Sequence, residues 1–226
     1  METTGAAKRK RPRRGGAAIV RATILQQRFW LDGETVRLKD DVWMRKVEER
    51  DKEEFLELSR TYSPAVNAFE DPSFRKHFWK ERFGDHELMF SIFAADSYIG
   101  YCGVADMTQE PWELSIELLP AWTGRGIGTA AMKELLDAVK ERLKVTDFRV
   151  RITAENTASQ KLFTRLGAVP EGISELWLHG EETLAQFEEK NLHRITDGMT
   201  ALAETFGVEP RKLLSHVLEY RLHWNG

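Results

Sequence analysis

The stretch Thr123-Gly124-Arg125-Gly126-Ile127-Gly128-Thr129 constrains this chain more than any other. It lies between an alternating apolar run, Trp112–Leu118, and a segment in which Ile127, Ala131, Leu135 and Val139 recur every four positions, with Met132, Leu136 and Leu143 beside them. The first period predicts a strand and the second a helix. A strand, a glycine loop and a helix form a phosphate-binding arrangement. Glycines let the backbone approach the ligand closely, the free N–H groups of the first turn point at it, and the helix dipole favours an anion there. Arg125 adds a charge-assisted donor. The spacing excludes two nucleotide loops. A Walker loop ends in Gly-Lys-Ser/Thr, which is absent here. A dinucleotide fingerprint needs G-x-G-x-x-G, but the glycines fall at 124, 126 and 128 and Thr129 holds the third place. An anion cradle of another kind, or a glycine turn that only joins strand to helix, remains.

A second segment follows one further predicted strand, Phe148–Thr153. In Asn156-Thr157-Ala158-Ser159-Gln160-Lys161-Leu162-Phe163-Thr164-Arg165-Leu166-Gly167-Ala168, Asn156 or Thr157 caps a helix bearing Leu162, Phe163 and Leu166, and Gly167 ends it. From about residue 42 to residue 178 the chain resembles the GNAT superfamily of N-acetyltransferases. That family's loop reads Gln/Arg-x-x-Gly-x-Gly/Ala. Gly126 and Gly128 match it, Arg125 fills a variable slot, and Thr123 stands where Gln or Arg is usual. That departure removes one side-chain contact and leaves the backbone cradle. The second segment is similar to the family's Asn-x-x-(Ala/Ser)-x-x-Leu-Tyr-x-x-x-Gly-Phe, with Phe163 at the Tyr position.

The resemblance implies an α/β (α+β) fold: a mixed central sheet that splays between Trp112–Leu118 and Phe148–Thr153, flanked by helices. It implies acetyl-CoA as co-substrate, seated in the splay. Backbone near Leu118 and Leu119 would meet the pantetheine amides, and residues Thr123, Gly124, Arg125, Gly126, Ile127, Gly128 and Thr129 the pyrophosphate. Asn156, with Ser159 and Phe163 on its helix, would serve the pantetheine arm. The implied reaction is direct attack on the thioester by a primary amine of a small cationic molecule or a protein. An amine of pKa about 10 is mostly charged at neutral pH, so a base must take its proton. Glu113 and Glu117 are the candidates: period two places them with Ser115 on one strand face, Glu117 nearer the thioester. The usual Tyr donates a proton to the leaving thiolate, and Phe163 has none to give. A non-catalytic acyl-CoA sensor is the alternative that this raises.

The rest of the chain divides as a basic tail without apolar periodicity (1–16, disordered), an N-terminal hairpin (17–41), the GNAT-like core (42–179), a helical insertion (180–214) and a closing strand (215–226). The hairpin reading uses Ile24, Phe29, Trp30, Val36 and Leu38 around Asp32-Gly33. Asp51 is expected to cap a helix carrying Phe55, Leu56 and Leu58. Leu176–Leu178 reads as a short strand. The net charge of −3 hides an asymmetry: residues 1–16 hold six Lys/Arg and one acid, leaving 27 basic and 35 acidic residues in the body. An acidic body attracts cationic acceptors. No apolar run approaches the ~20 residues of a membrane helix. The single cysteine, Cys102, reads as core and suits a reducing cytoplasm. The histidines show no metal-ligand spacing. Thr200–Leu214 faintly resembles a helix-turn-helix, but Glu181, Glu182, Glu188, Glu189 and Glu204 would repel phosphate, so nucleic acid is set aside. The insertion is expected to wall the substrate side or to make a homodimer contact.

Overall fold

The structure, a computed structural model, describes residues 16–29, 33–63, 65–84, 86–175 and 179–226. In chain order it runs α1 (Gly16–Phe29), β1 (Thr35–Lys39), β2 (Val42–Lys46), α2 (Lys52–Tyr62), α3 (Pro72–Arg82), β3 (Leu88–Ala94), β4 (Ser97–Asp106), β5 (Trp112–Leu118) and α4 (Ile127–Leu143). It continues with β6 (Asp147–Ile152), α5 (Thr157–Arg165), β7 (Val169–Glu175), α6 (Glu181–Asn191), α7 (Asp197–Phe206) and β8 (His216–His223). The strands form one sheet of order β1-β2-β3-β4-β5-β6-β8-β7. Among the described residues only the β5–β6 junction is parallel; the other neighbours are antiparallel.

Helices cover both faces. On one, Phe29 of α1, Leu135 and Val139 of α4, Phe163 of α5 and Ala203 of α7 pack with Cys102, Trp112, Leu114 and Leu218. On the other, Phe55 and Leu58 of α2 and Trp79 of α3 pack with Met89 and Tyr101. Neighbours Tyr101 and Cys102 thus serve opposite cores, as the pleat requires. Burial pushes the Cys102 thiol up to about 12, so it stays a neutral core group.

The structure corrects several expectations. Residues 16–29 are helical rather than the first arm of a hairpin. Ala22, Leu25 and Phe29 form an inward stripe at helical spacing, Ala22 and Phe29 fully buried, while Ile24 faces out. The hairpin lies further on, β1 with β2 across Asp40-Asp41. Trp30 and Asp32, the tail 1–15 and Leu176–Leu178 lie outside the described residues. The strand after α5 is β7, whose Pro170 and Gly172 obscure its pattern; both are tolerated because β7 is an edge strand. Asp51 precedes α2 but its carboxylate makes no cap bond. It is held instead by Arg45. Thr200–Leu214 is not a helix-turn-helix, because α7 is followed by a five-residue 3-10 turn, Pro210–Leu214, in place of a second helix. As expected, the insertion's helices, α6 and α7, precede the last strand, β8, and β8 enters the sheet between β6 and β7.

Candidate active site

The sheet splits at the parallel β5–β6 junction. Trp112 pairs with Phe148 and Glu113 with Arg149, and pairing stops there. Both strands run on, β5 to Leu118 and β6 to Ile152. Leu114–Leu118 therefore keep a β4 partner on one edge and none from β6 on the other. The Leu119 N–H donates to the Ile99 carbonyl, on the β4 side. Successive peptide groups of an extended chain point to opposite edges, so the N–H and C=O of Leu118 face the split. Of the two residues expected to offer backbone there, Leu118 has its N–H directed to the split and Leu119 has its N–H committed elsewhere.

The glycine loop closes one end of the split. A short 3-10 turn, Pro120–Trp122, leads into it, and the Thr123 hydroxyl donates to the Pro120 carbonyl at 2.9 Å. Gly124 and Gly126 take φ of 73° and 81°, the left-handed region where a side chain is strained. Gly126 caps the 17-residue α4 without a side chain, and the first turn carries no acid. The loop from Thr123 to Gly126 is exposed, and the Arg125 guanidinium lies 4.8 Å over the Trp122 ring. Ile127 and Gly128 are buried, and Thr129 is half-buried. A Cβ on Gly128 would meet Leu162 at 2.8 Å and Ile116 at 3.2 Å. Gly128 thus brings α4 against both β5 and α5, and so joins the two sequence segments. Unshielded first-turn N–H groups on a long helix, a cradle of left-handed glycines and a free strand edge suit a phosphate-bearing ligand with an amide arm, such as a coenzyme A thioester.

On α5, Asn156 accepts a hydrogen bond from the Ser159 N–H at 3.0 Å and is exposed. It is a helix cap, with its amide nitrogen on the exposed side chain. Ser159 is half-buried. Phe163 is 1% exposed and belongs to the core.

The two glutamates of β5 differ. Glu113 is bound by Arg149 at 3.3 Å and by Arg151 at 3.0 Å. These pairs cross from β5 to β6 where the sheet divides. Both oxygens of the Glu113 carboxylate are thus held by guanidinium groups, which fixes the side chain between the two strands. Glu117 has no such partner. Its Oε2 is buried without a hydrogen bond among the described residues. Burial pushes its carboxyl above the usual carboxylate range, against the opposing influence of Arg82 and a hydrogen bond from the Tyr101 hydroxyl.

Tyr62, the last residue of α2, donates from its hydroxyl to the Leu118 carbonyl at 2.7 Å. Sequence pattern does not reveal it, since no periodicity ties the end of a helix to a strand 56 residues on. Arg82 and Tyr101 are likewise visible only once α3 and β4 are packed. Beside α5, a cavity of about 300 Å³ opens between Glu155, Thr157 and Gln160 and the start of α7 at Thr196, Gly198 and Met199. Among the described residues no group of three or more His, Cys, Asp or Glu is placed to hold a metal. No helix among them is long and apolar enough to cross a membrane.

This split sheet with a glycine-led helix and a capped helix beside it defines an acyltransferase of the N-acetylating class. Residues 41–169 match the family model for the acetyltransferase (GNAT) domain, more than half of the chain, and the chain belongs to that family. It is similar to the L-amino acid N-acetyltransferase AaaT of Escherichia coli strain K12, 22% identical over 139 residues, which are 58% of this chain and 85% of the relative. Its fold is shared by a ribosomal alpha-N-protein acetyltransferase, RimL, solved in complex with coenzyme A. The TM-score is 0.57 at 13% identity, covering 85% of this chain and 99% of that one. It is shared too by a ribosomal-protein alanine acetyltransferase from Vibrio fischeri, with a TM-score of 0.57, 12% identity, and 85% and 97% covered. The protein is an N-acetyltransferase.

Proposed function

We propose that the protein moves the acetyl group of acetyl-CoA onto a primary amine, that of an amino acid, another small cationic molecule or a protein. The observation that carries this reading is the split itself: β6 leaves the Leu118 edge unpaired, that edge leads to the glycine-led start of α4, and the neighbouring Glu117 has an Oε2 buried without a hydrogen bond among the described residues. The acetyl thioester supplies the electrophile. The Leu118 N–H would polarise its carbonyl oxygen. The glycine loop would hold the pyrophosphate, and Asn156 the arm. Glu117 would take the amine's proton, directly or through water. A carboxyl raised by burial is better matched to that task than an ordinary surface carboxylate. Glu113 serves the reading as a clamp between β5 and β6 rather than as a base. The cavity between α5 and α7 supports the insertion as a wall of the acceptor side. The acceptors named for AaaT and for the ribosomal-protein enzymes motivate the choice of amines.

The test is acetyl-CoA binding by calorimetry, followed by thiol release with a panel of amino acids, polyamines, aminoglycosides and peptides with free N-termini. Binding and turnover with one class are expected. Absence of binding at millimolar acetyl-CoA overturns the reading. Tight binding with no turnover across the panel favours the acyl-CoA sensor, for which the buried Phe163 is the supporting observation.

A further inference from the structure

The position that matches the family's proton donor holds Phe163, which has no proton and is buried in the core. The opposite side of the split supplies a hydroxyl. Tyr62 stands at the C-terminal end of α2, 47% exposed, with its Oη 2.7 Å from the Leu118 carbonyl. That carbonyl shares its edge with the Leu118 N–H, the donor that faces the reacting carbonyl under the reading above. Under that reading Tyr62 therefore stands at the strand edge that a bound thioester would meet. It is also near the base: burial and then the charge of Glu117 raise its pKa, so the phenol keeps its proton through the neutral range.

We propose that Tyr62 is the proton donor to the departing thiolate, on a different element from the one the family pattern uses. The assignment rests on the acetyl-transfer reading. In the step, the amine nitrogen bonds to the carbonyl carbon of the acetyl thioester. The C–S bond breaks and its electron pair stays on sulfur, which takes the Tyr62 hydroxyl proton. The amine's proton leaves to Glu117. The tyrosinate then regains a proton and Glu117 loses one to solvent, so both groups end as they began. The bond from Tyr62 to Leu118 is made by an exposed side chain and is exchanged when the donor arrives, leaving the hydroxyl free to turn to sulfur.

The test is Tyr62→Phe, which keeps the ring and removes only the hydroxyl. Its folding is checked by thermal melting, and its affinity for coenzyme A by calorimetry. The expected result is a kcat lower by roughly 100-fold, the usual scale of a lost general acid, with KM for acetyl-CoA and the affinity for coenzyme A within about threefold of wild type. A kcat within threefold of wild type overturns the assignment. So does a fall in coenzyme A affinity as large as the fall in rate, which would make the contact a binding one. A wild type that binds acetyl-CoA and turns over no amine overturns the transfer reading itself, a result distinct from active wild type with an unimpaired variant.

Discussion

Arg45 and Asp51 meet in a buried two-pronged pair, Nη1 to Oδ2 at 2.8 Å and Nη2 to Oδ1 at 2.6 Å. Asp51 also accepts from the Glu48 N–H at 2.9 Å and the Ser91 hydroxyl at 2.7 Å. One carboxylate thus ties the end of β2, the middle of β3 and the start of α2, the helix that ends at Tyr62.

Removing one partner of such a pair leaves an uncompensated charge, because Arg45 is 8% exposed. Asp51→Asn is expected to cost about 3–5 kcal/mol in urea unfolding. Burial alone would raise the Asp51 carboxyl, but its bonds from Arg45, Glu48 and Ser91 hold it below the usual range. A depressed acid contributes stability that is full above its unfolded pKa, about 3.9, and is lost as pH falls through the folded value. Wild-type stability should therefore decline below about pH 4 more steeply than that of the variant. Parallel slopes would show that the pair is not coupled to folding.

Asn156 separates two roles that its sequence position merges. As a cap on the Ser159 N–H, its replacement by Ala should cost about 1 kcal/mol in thermal or chemical unfolding. Asn156→Asp restores an oxygen to cap the helix but has no amide N–H. It should recover the stability and not the affinity for coenzyme A measured by calorimetry. Recovery of both would reduce Asn156 to a cap.

How much of this was legible beforehand follows from the range of each interaction. The glycine loop, the helix after it and the Asn156 cap are local, and each occurs where its residues imply. The strand 112–118 was readable from its alternation, and with it the shared face of Glu113 and Glu117. What separates those glutamates was not readable, because Arg149 and Arg151 reach Glu113 from another strand. Tyr62 and Arg82 were invisible for the same reason. The N-terminal helix is hidden in the sequence because Asp32-Gly33 is a strong local turn signal, whereas the Ala22-Leu25-Phe29 stripe matters only against α4 and the sheet. Asp51 occupies the N-cap position of α2, but its carboxylate is turned back to Arg45, Ser91 and the Glu48 N–H, and the first two of these are tertiary partners that no local pattern reveals.

Glu117 and Glu113 make a controlled comparison. A carboxylate base works only when ionised, so the acid limb of kcat/KM should lie above the pH expected of an ordinary glutamate, since burial raises the Glu117 carboxyl. Glu117→Gln should lower kcat by roughly 100-fold or more and abolish that limb. Stability runs the other way. A folded pKa raised above the unfolded one means that the native state holds the extra proton, so stability falls as pH rises through that window. At neutral pH the neutral glutamine should therefore melt at or above wild type. Glu113→Gln should leave the acid limb in place and cost about 0.5–1 kcal/mol, as partly exposed pairs do. If Glu113→Gln removes the limb and Glu117→Gln does not, the assignment of base and clamp is reversed.

The insertion depends on Glu188, 1% exposed on α6. It accepts from Arg211 at 2.9 Å, Lys212 at 3.1 Å and the Ser215 hydroxyl at 2.7 Å. Arg211 and Lys212 lie in the turn that delivers the chain to β8 and Ser215 follows it, so the contact sets where an interior strand enters the sheet. It also occupies Arg211 and Lys212, the two cations of the segment that faintly resembled a nucleic-acid reader. Glu188→Ala leaves those cations partly hydrated at the surface, so the cost is that of lost charge-assisted hydrogen bonds, about 1.5–3 kcal/mol in chemical unfolding. The loss should be local first. Amide hydrogen exchange should quicken across 181–214 while β3, β4 and β5 keep their protection, because the insertion opens without the core. Coenzyme A affinity should hold, since the glycine loop and Leu118 lie elsewhere. Turnover of the acceptor should fall if α7 walls its site, and an unchanged acceptor KM in a variant with faster exchange would remove the insertion from the active site.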